Sequence, residues 1–111
     1  MLARGQRLKR SEFTRSFSLG TRAHGKVVTL VYSPAPKFQA SVVVPKKVHK
    51  RAVDRNRLRR RLYGILYARR HTLLASVIVL VKPPAATLPY EAVRGELTLL
   101  LSRVGEVPRA R

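Results

Sequence analysis

Residues 76–81 read SVIVLV, apolar at every position after the first. A strand with one wet face would alternate polar and apolar side chains, so an unbroken run of this length marks a strand buried on both faces. Such a strand needs a paired neighbour at each edge and cover above and below. A chain of 111 residues, 45% of them hydrophobic, can supply these within one domain, expected over residues 1–111.

The neighbours are legible upstream. Val27–Tyr32 (VVTLVY) and Phe38–Val44 (FQASVVV) are rich in β-branched residues and flank Ser33-Pro34-Ala35-Pro36. They predict two strands, antiparallel to each other across a Pro-rich turn, with Pro45 ending the second. Between Arg51 and Arg70 the period becomes helical: Leu58, Leu62, Ile65 and Leu66 fall at i, i+4, i+7 and i+8. Strand, long helix and buried strand make a βαβ unit with its two strands parallel. The fold class is therefore α+β: a two-layer α/β sandwich, with a small central sheet and a long basic helix in the crossover.

Shorter signals fill in the ends. Ser11 is placed to cap a first helix that carries Glu12, Phe13 and Phe17 and stops at Gly20-Thr21. Pro89 suits the first turn of a last helix with the stripe Val93, Leu97, Leu100, Leu101 and Val104, weakened by Gly95. Residues 1–10 read as a loose basic arm and 105–111 as a basic tail.

Charge narrows the function. The formal net charge is +19, and a chain so charged repels itself unless a polyanion neutralises it. Lys46, Lys47, Lys50, Arg51, Arg55, Arg57, Arg59, Arg60 and Arg61 are nine of its 24 basic residues, with Asp54 the one acid among them. On the helix, Asn56, Arg60, Tyr63 and Tyr67 lie opposite the leucine stripe, Arg57 and Arg61 on one shoulder and Arg59 on the other. Arginine forks match phosphate oxygens in pairs and stack on bases. Lys46, Lys47, Lys50 and Arg51 add charge where the helix begins, and a helix N-terminus itself attracts phosphate. Tyr63 and Tyr67 fit either core packing or base stacking. Phe13 and Phe17, four apart on one helical face, fit either core anchors or a platform for single-stranded nucleotides.

Catalytic equipment is not evident. The acids Glu12, Asp54, Glu91, Glu96 and Glu106 are scattered, the histidines 24, 49 and 71 form no ligand pattern, and there is no Gly-rich phosphate loop. No protein-borne catalytic residue and no protein-held metal is expected. The absence of cysteine suits a reducing compartment. No apolar run is long enough to span a bilayer, and the N-terminus lacks the apolar core of a signal peptide, so a cytoplasmic protein without a membrane partner is expected.

The order of these features, with Lys46-Lys47, Ala52-Val53 and Arg55-Asn56-Arg57 followed by Arg59-Arg60-Arg61, resembles the protein subunits of bacterial ribonuclease P. The likeness runs from about Leu8 to Leu101. It implies the order α-β-β-β-α-β-α around a mostly antiparallel sheet, one strand more than the residues alone indicate, which we place between 32 and 44. It implies that an RNA subunit is the catalyst, using Mg²⁺ that the RNA mainly binds, and that the protein binds that RNA and the 5′ leader of precursor tRNA. No obligate protein partner is implied. By the same resemblance, Lys46, Lys47, Lys50, Arg51, Arg55, Asn56, Arg57, Arg59, Arg60 and Arg61 face the catalytic RNA, while Phe13, Phe17 and Lys82 line the leader cleft. Two departures stand out: Pro45 precedes the lysines where a small polar residue is common, and Val31 stands where the cleft usually receives an aromatic, with Tyr32 one position away. The alternative reading is a basic ribosomal protein that binds structured RNA and takes no part in cleavage.

Overall fold

A computed structural model describes residues 8–70 and 75–106, with the side chains of 104–106 outside that description. The elements are α1 (Arg10–Leu19), β1 (Thr21–His24), β2 (Val28–Pro34), β3 (Gln39–Val43), α2 (Ala52–Ala68), β4 (Ala75–Val81), a 3₁₀ turn (Pro83–Ala86) and α3 (Tyr90–Glu106). The sheet order is β1-β2-β4-β3, with β2 antiparallel to both β1 and β4 and β3 parallel to β4. The expected βαβ unit is thus β3-α2-β4.

Two expectations about the sheet are corrected. β2 and β3 run in opposite directions but are not neighbours, because β4 lies between them. The most apolar strand takes the central position, where both edges are paired and both faces covered, and every residue of β4 except Leu80 is buried. The additional strand lies at 21–24 and not between 32 and 44. β1 is an edge strand with mostly exposed side chains, so its sequence (TRAH) carries no apolar alternation.

The two faces are unlike. Val28 and Leu30 of β2, Ala40 and Val42 of β3, and Val77 and Val79 of β4 join Leu58, Leu62 and Leu66 of α2 and Val93, Leu97, Leu100 and Leu101 of α3 in one core. Burying each of these larger side chains is worth roughly 1.5–3 kcal/mol. On the other face, α1 packs on β2 and β4 and buries Val31 and Ile78 completely. The α+β sandwich of the sequence reading is therefore present, with α1 as partial cover on its second face.

Local details follow from backbone donors. α1 begins one residue before Ser11: Lys9 is the N-cap, and Glu12 reaches back to accept the Lys9 amide at 3.1 Å. Ser11 therefore lies inside the helix and does not cap it. The arm at 1–10 falls mostly outside the described residues, although the Leu8 amide donates to the Ala40 carbonyl at 3.1 Å, tying the chain to β3 before α1 starts. α3 starts one residue after Pro89 and continues to Glu106, so helix replaces the expected tail at 105 and 106. At Gly20 a Cβ would lie 2.6 Å from the Ser16 carbonyl and 2.8 Å from Val31, so glycine permits the close approach that turns α1 into β1.

Glu96 of α3 ties its helix to the sheet. Its carboxylate accepts the amides of Lys26, Val27 and Val28 at 3.0, 2.7 and 2.9 Å. A side chain at Gly25 would collide with it. Lys82 closes the same corner, its Nζ donating to the Gly25 carbonyl at 2.7 Å. Glu96→Ala leaves these donors without their acceptor and is expected to destabilise the protein by roughly 2–3 kcal/mol. Urea unfolding checks this; a loss no larger than that of an ordinary surface substitution, about 0.5 kcal/mol, would remove the tie.

Candidate nucleic-acid interface

Val44 and Val48 are buried and pin both ends of the turn after β3, which the Val48 amide closes on the Pro45 carbonyl at 3.0 Å. Lys46 and Lys47 sit between these anchors and are exposed. Pro45 supplies the carbonyl and needs no ladder partner for a missing amide, so the departure at 45 is compatible with this turn. Lys50 and Arg51 are exposed where α2 begins, and Arg51 is its N-cap.

The arginines of α2 divide into two groups. Arg55 folds back on the entering loop, donating to the His49 and Lys50 carbonyls at 3.0 and 2.8 Å. Arg59 donates to the Asn56 side-chain oxygen. Arg61 lies over the Tyr90 ring of α3, 4.7 Å from its centroid. Arg57 and Arg60 are exposed, and among the described residues neither has a hydrogen-bond or ion-pair partner. Like charges at i,i+3 and i,i+4 cost a helix roughly 0.2–0.5 kcal/mol each, and α2 carries several such pairs. Folding gains nothing from that arrangement, whereas a phosphate chain along the helix would.

The two tyrosines resolve differently from the arginine face. Tyr63 is buried, and its hydroxyl accepts the Val42 amide of β3 at 3.1 Å. It belongs to the core, which corrects its placement opposite the leucine stripe. Tyr67 is half-buried against the core, with the Arg70 guanidinium 3.7 Å from its ring centroid.

A second region lies on the α1 side of the sheet. Glu12, Arg15 and Leu19 occupy one flank of α1, beside the end of β2 and the residues 35–36 that follow it. Phe13 and Phe17 lie on the other flank by helical geometry. Their rings are parallel within 9° at a centroid separation of 5.9 Å; Phe13 is half-buried and Phe17 is 38% exposed. Neither belongs to the core. On the same sheet face Ser41, Val43 and Leu80 remain half-buried, so α1 leaves an open trough along β3 and β4. Tyr32 points to the opposite face and packs on the core, while Val31 is buried beneath α1, so neither supplies an aromatic ring to the trough.

Lys82 follows Leu80 on the trough side by strand alternation, yet its ammonium is bound to Gly25 at the far end of β2 from α1. The structure does not bring it against either phenylalanine. Arg22 takes that place instead. Its guanidinium lies 4.6 Å from the Phe17 centroid and donates to the Phe17 carbonyl at 2.9 Å. Sequence reading missed Arg22 because it lies in the unrecognised edge strand; alternation from Thr21 would have placed it on the α1 face.

Among the described residues no three His, Asp or Glu side chains gather into a metal site. Glu12 serves the α1 cap, Glu91 pairs with Arg94 at 3.2 Å, and Glu96 holds the sheet corner. These three carboxylates are already engaged within the fold. No helix among the described residues is long and apolar enough to cross a membrane.

The family model for ribonuclease P matches residues 2–105. The chain belongs to the ribonuclease P protein family. It is 35% identical over 100 residues to the ribonuclease P protein component of Thermus oshimai, covering 90% of this chain and 65% of that protein. For the component of Microcystis aeruginosa the identity is 32% over 105 residues, covering 86% of this chain and 87% of the relative. Against the Thermus oshimai and Thermus brockianus proteins the chain spans 65% and 52% of the relative's length. The fold is that of the ribonuclease P protein from Staphylococcus aureus (TM-score 0.79, 20% identity, 87% of this chain and 93% of that one) and from Thermotoga maritima (0.76, 21%, 87% and 96%).

The division of the arginines in this ribonuclease P family member is open to a stability test. Arg55→Ala removes two carbonyl contacts and is expected to lower stability by about 1 kcal/mol. Arg57→Ala and Arg60→Ala are expected to remain within about 0.5 kcal/mol of the parent. Thermal unfolding of the three variants decides, and equal losses would contradict the division.

Proposed function

We infer that this chain is the protein subunit of a ribonuclease P that removes the 5′ leader from precursor tRNA, with hydrolysis carried out by an RNA subunit. The enzyme is then an endoribonuclease as a ribonucleoprotein, and this chain contributes binding. Membership of the family supports the reading. The observation that carries it is the pairing of exposed arginines without a partner among the described residues, Arg57 and Arg60 on α2, with Glu12, Glu91 and Glu96 engaged in contacts within the fold.

In this reading Lys46, Lys47, Lys50, Arg51, Arg57 and Arg60 lie along the phosphates of the catalytic RNA. Asn56 and Arg59 present a joined amide and guanidinium to the same partner. Arg55 shapes the loop that carries the lysines. The trough beside Phe13 and Phe17 takes the single-stranded leader, whose bases stack on the exposed ring of Phe17 while Arg22 holds that ring in place. Lys82 contributes charge at the far end of the trough. Mg²⁺ is assigned to the RNA, since the chain's carboxylates are dispersed, and the protein's contribution to metal use is to screen phosphate repulsion. The particle is placed in the cytoplasm, where tRNA precursors are made.

Reconstitution tests this. The protein alone is expected to leave precursor tRNA intact, and to restore leader removal at low Mg²⁺ when mixed with its RNA subunit. Cleavage by RNA-free protein, or no effect on the RNA subunit's cleavage, would overturn the reading.

A further inference from the structure

A groove of about 190 Å³ opens between the first half of α2 and the start of α3. Whole-ligand pockets run to roughly 300–1,000 Å³, so this groove is sized for one flat ring. Its floor includes Leu58 and Val93, both buried side chains of the core. One wall is the Arg61–Tyr90 pair, a guanidinium plane over an aromatic ring. The exposed Arg57 stands at the rim.

Asp54 also lines the groove. It is half-buried, and among the described residues its carboxylate has no hydrogen-bond or ion-pair partner. A pocket for phosphate alone would not carry that acid, nor an apolar floor. A pocket for a small apolar ligand would not carry two arginines. Apolar floor, planar wall, flanking arginines and one carboxylate, with His49 also on the lining, together match an unstacked nucleotide: the base slides onto the floor, its face against the Arg61–Tyr90 wall, its flanking phosphates meeting Arg57 and Arg61. The lone carboxylate accepts from an exocyclic amino group, which adenine, cytosine and guanine have and uracil lacks.

Resting on the function inferred above, we propose that this groove receives a single extruded nucleotide of the catalytic RNA, bearing an amino-substituted base. The α2 face then does more than follow phosphates. It reads one position of its RNA partner and fixes the register in which the helix lies on it. Tyr90, outside the basic stretch and unremarkable in the sequence, becomes a binding residue.

The test measures binding of the in vitro transcribed RNA subunit by the full chain and three variants, with chemical probing of RNA bases in each complex. Tyr90→Ala removes the aromatic wall. Ala86→Trp fills the groove from an exposed position on its edge and removes nothing from the core, so it serves if Tyr90→Ala unfolds. Tyr90→Phe keeps the ring. Tyr90→Ala and Ala86→Trp are expected to weaken binding by about tenfold, the order of one lost base stack, without changing its salt dependence, because no charge is removed. Tyr90→Phe is expected to match the parent. One adenine, cytosine or guanine is expected to change reactivity on binding the parent and Tyr90→Phe and not on binding the other two. Unchanged affinity and an unchanged footprint in both Tyr90→Ala and Ala86→Trp would overturn the groove assignment while leaving RNA binding intact. Failure of the parent protein itself to bind the RNA would overturn the functional reading, and the groove assignment with it.

Discussion

β4 hydrogen-bonds to β2 on one side and to β3 on the other, and nearly all of its side chains are buried. Keeping both of its faces dry sets the positions of the other elements. α2 and α3 cover one face with leucine and valine, and α1 covers part of the other. The cover on the second face is incomplete because one short helix cannot roof four strands. The trough beside Phe13 and Phe17 is what that incompleteness leaves, so the candidate leader site is a product of how the sheet is buried.

A chain with a net charge of +19 must hold this sheet together against its own repulsion. It does so with apolar packing and by placing Glu12, Glu91 and Glu96 where backbone amides or a cation need them. Glu96 alone satisfies three amides at the corner where α3 meets the sheet. Glu12 caps α1, and Glu91 pairs with Arg94. Carboxylates used this way are not gathered for metal chemistry, and they do not neutralise α2. Its basic surface therefore stays available to a partner.

Much of this was legible in the residues. The stripe Leu58, Leu62 and Leu66 identified the core face of α2, and the unbroken run at 76–81 identified the central strand. Strand order was not legible, because the Pro-rich turn at 33–36 suggests a local hairpin while β4, arriving 40 residues later, competes successfully for both partners. Tyr63, open in the sequence between core packing and base stacking, differs only in its placement opposite the leucine stripe. It shares its azimuth with Asn56 within about 20° by helical geometry, but no residue of α2 before Leu58 is buried. The first turns of the helix project past the core and the later ones do not, a distinction along the axis that periodicity does not carry. The basic motif was plain as a cluster of charge. Its division into a loop-shaping Arg55, a joined Asn56–Arg59 pair and the open Arg57 and Arg60 depends on side-chain conformations that a sequence pattern does not carry.

The salt dependence of RNA binding distinguishes the open arginines of α2 from the one that folds back on its loop. Each phosphate contact contributes roughly 0.7–0.9 to the slope of log K against log salt concentration. Arg57→Ala and Arg60→Ala are each predicted to lower the slope by about one such contact, while Arg55→Ala leaves it at the parent value. Parent slopes for Arg57→Ala and Arg60→Ala, or an equal fall for Arg55→Ala, would contradict that distinction.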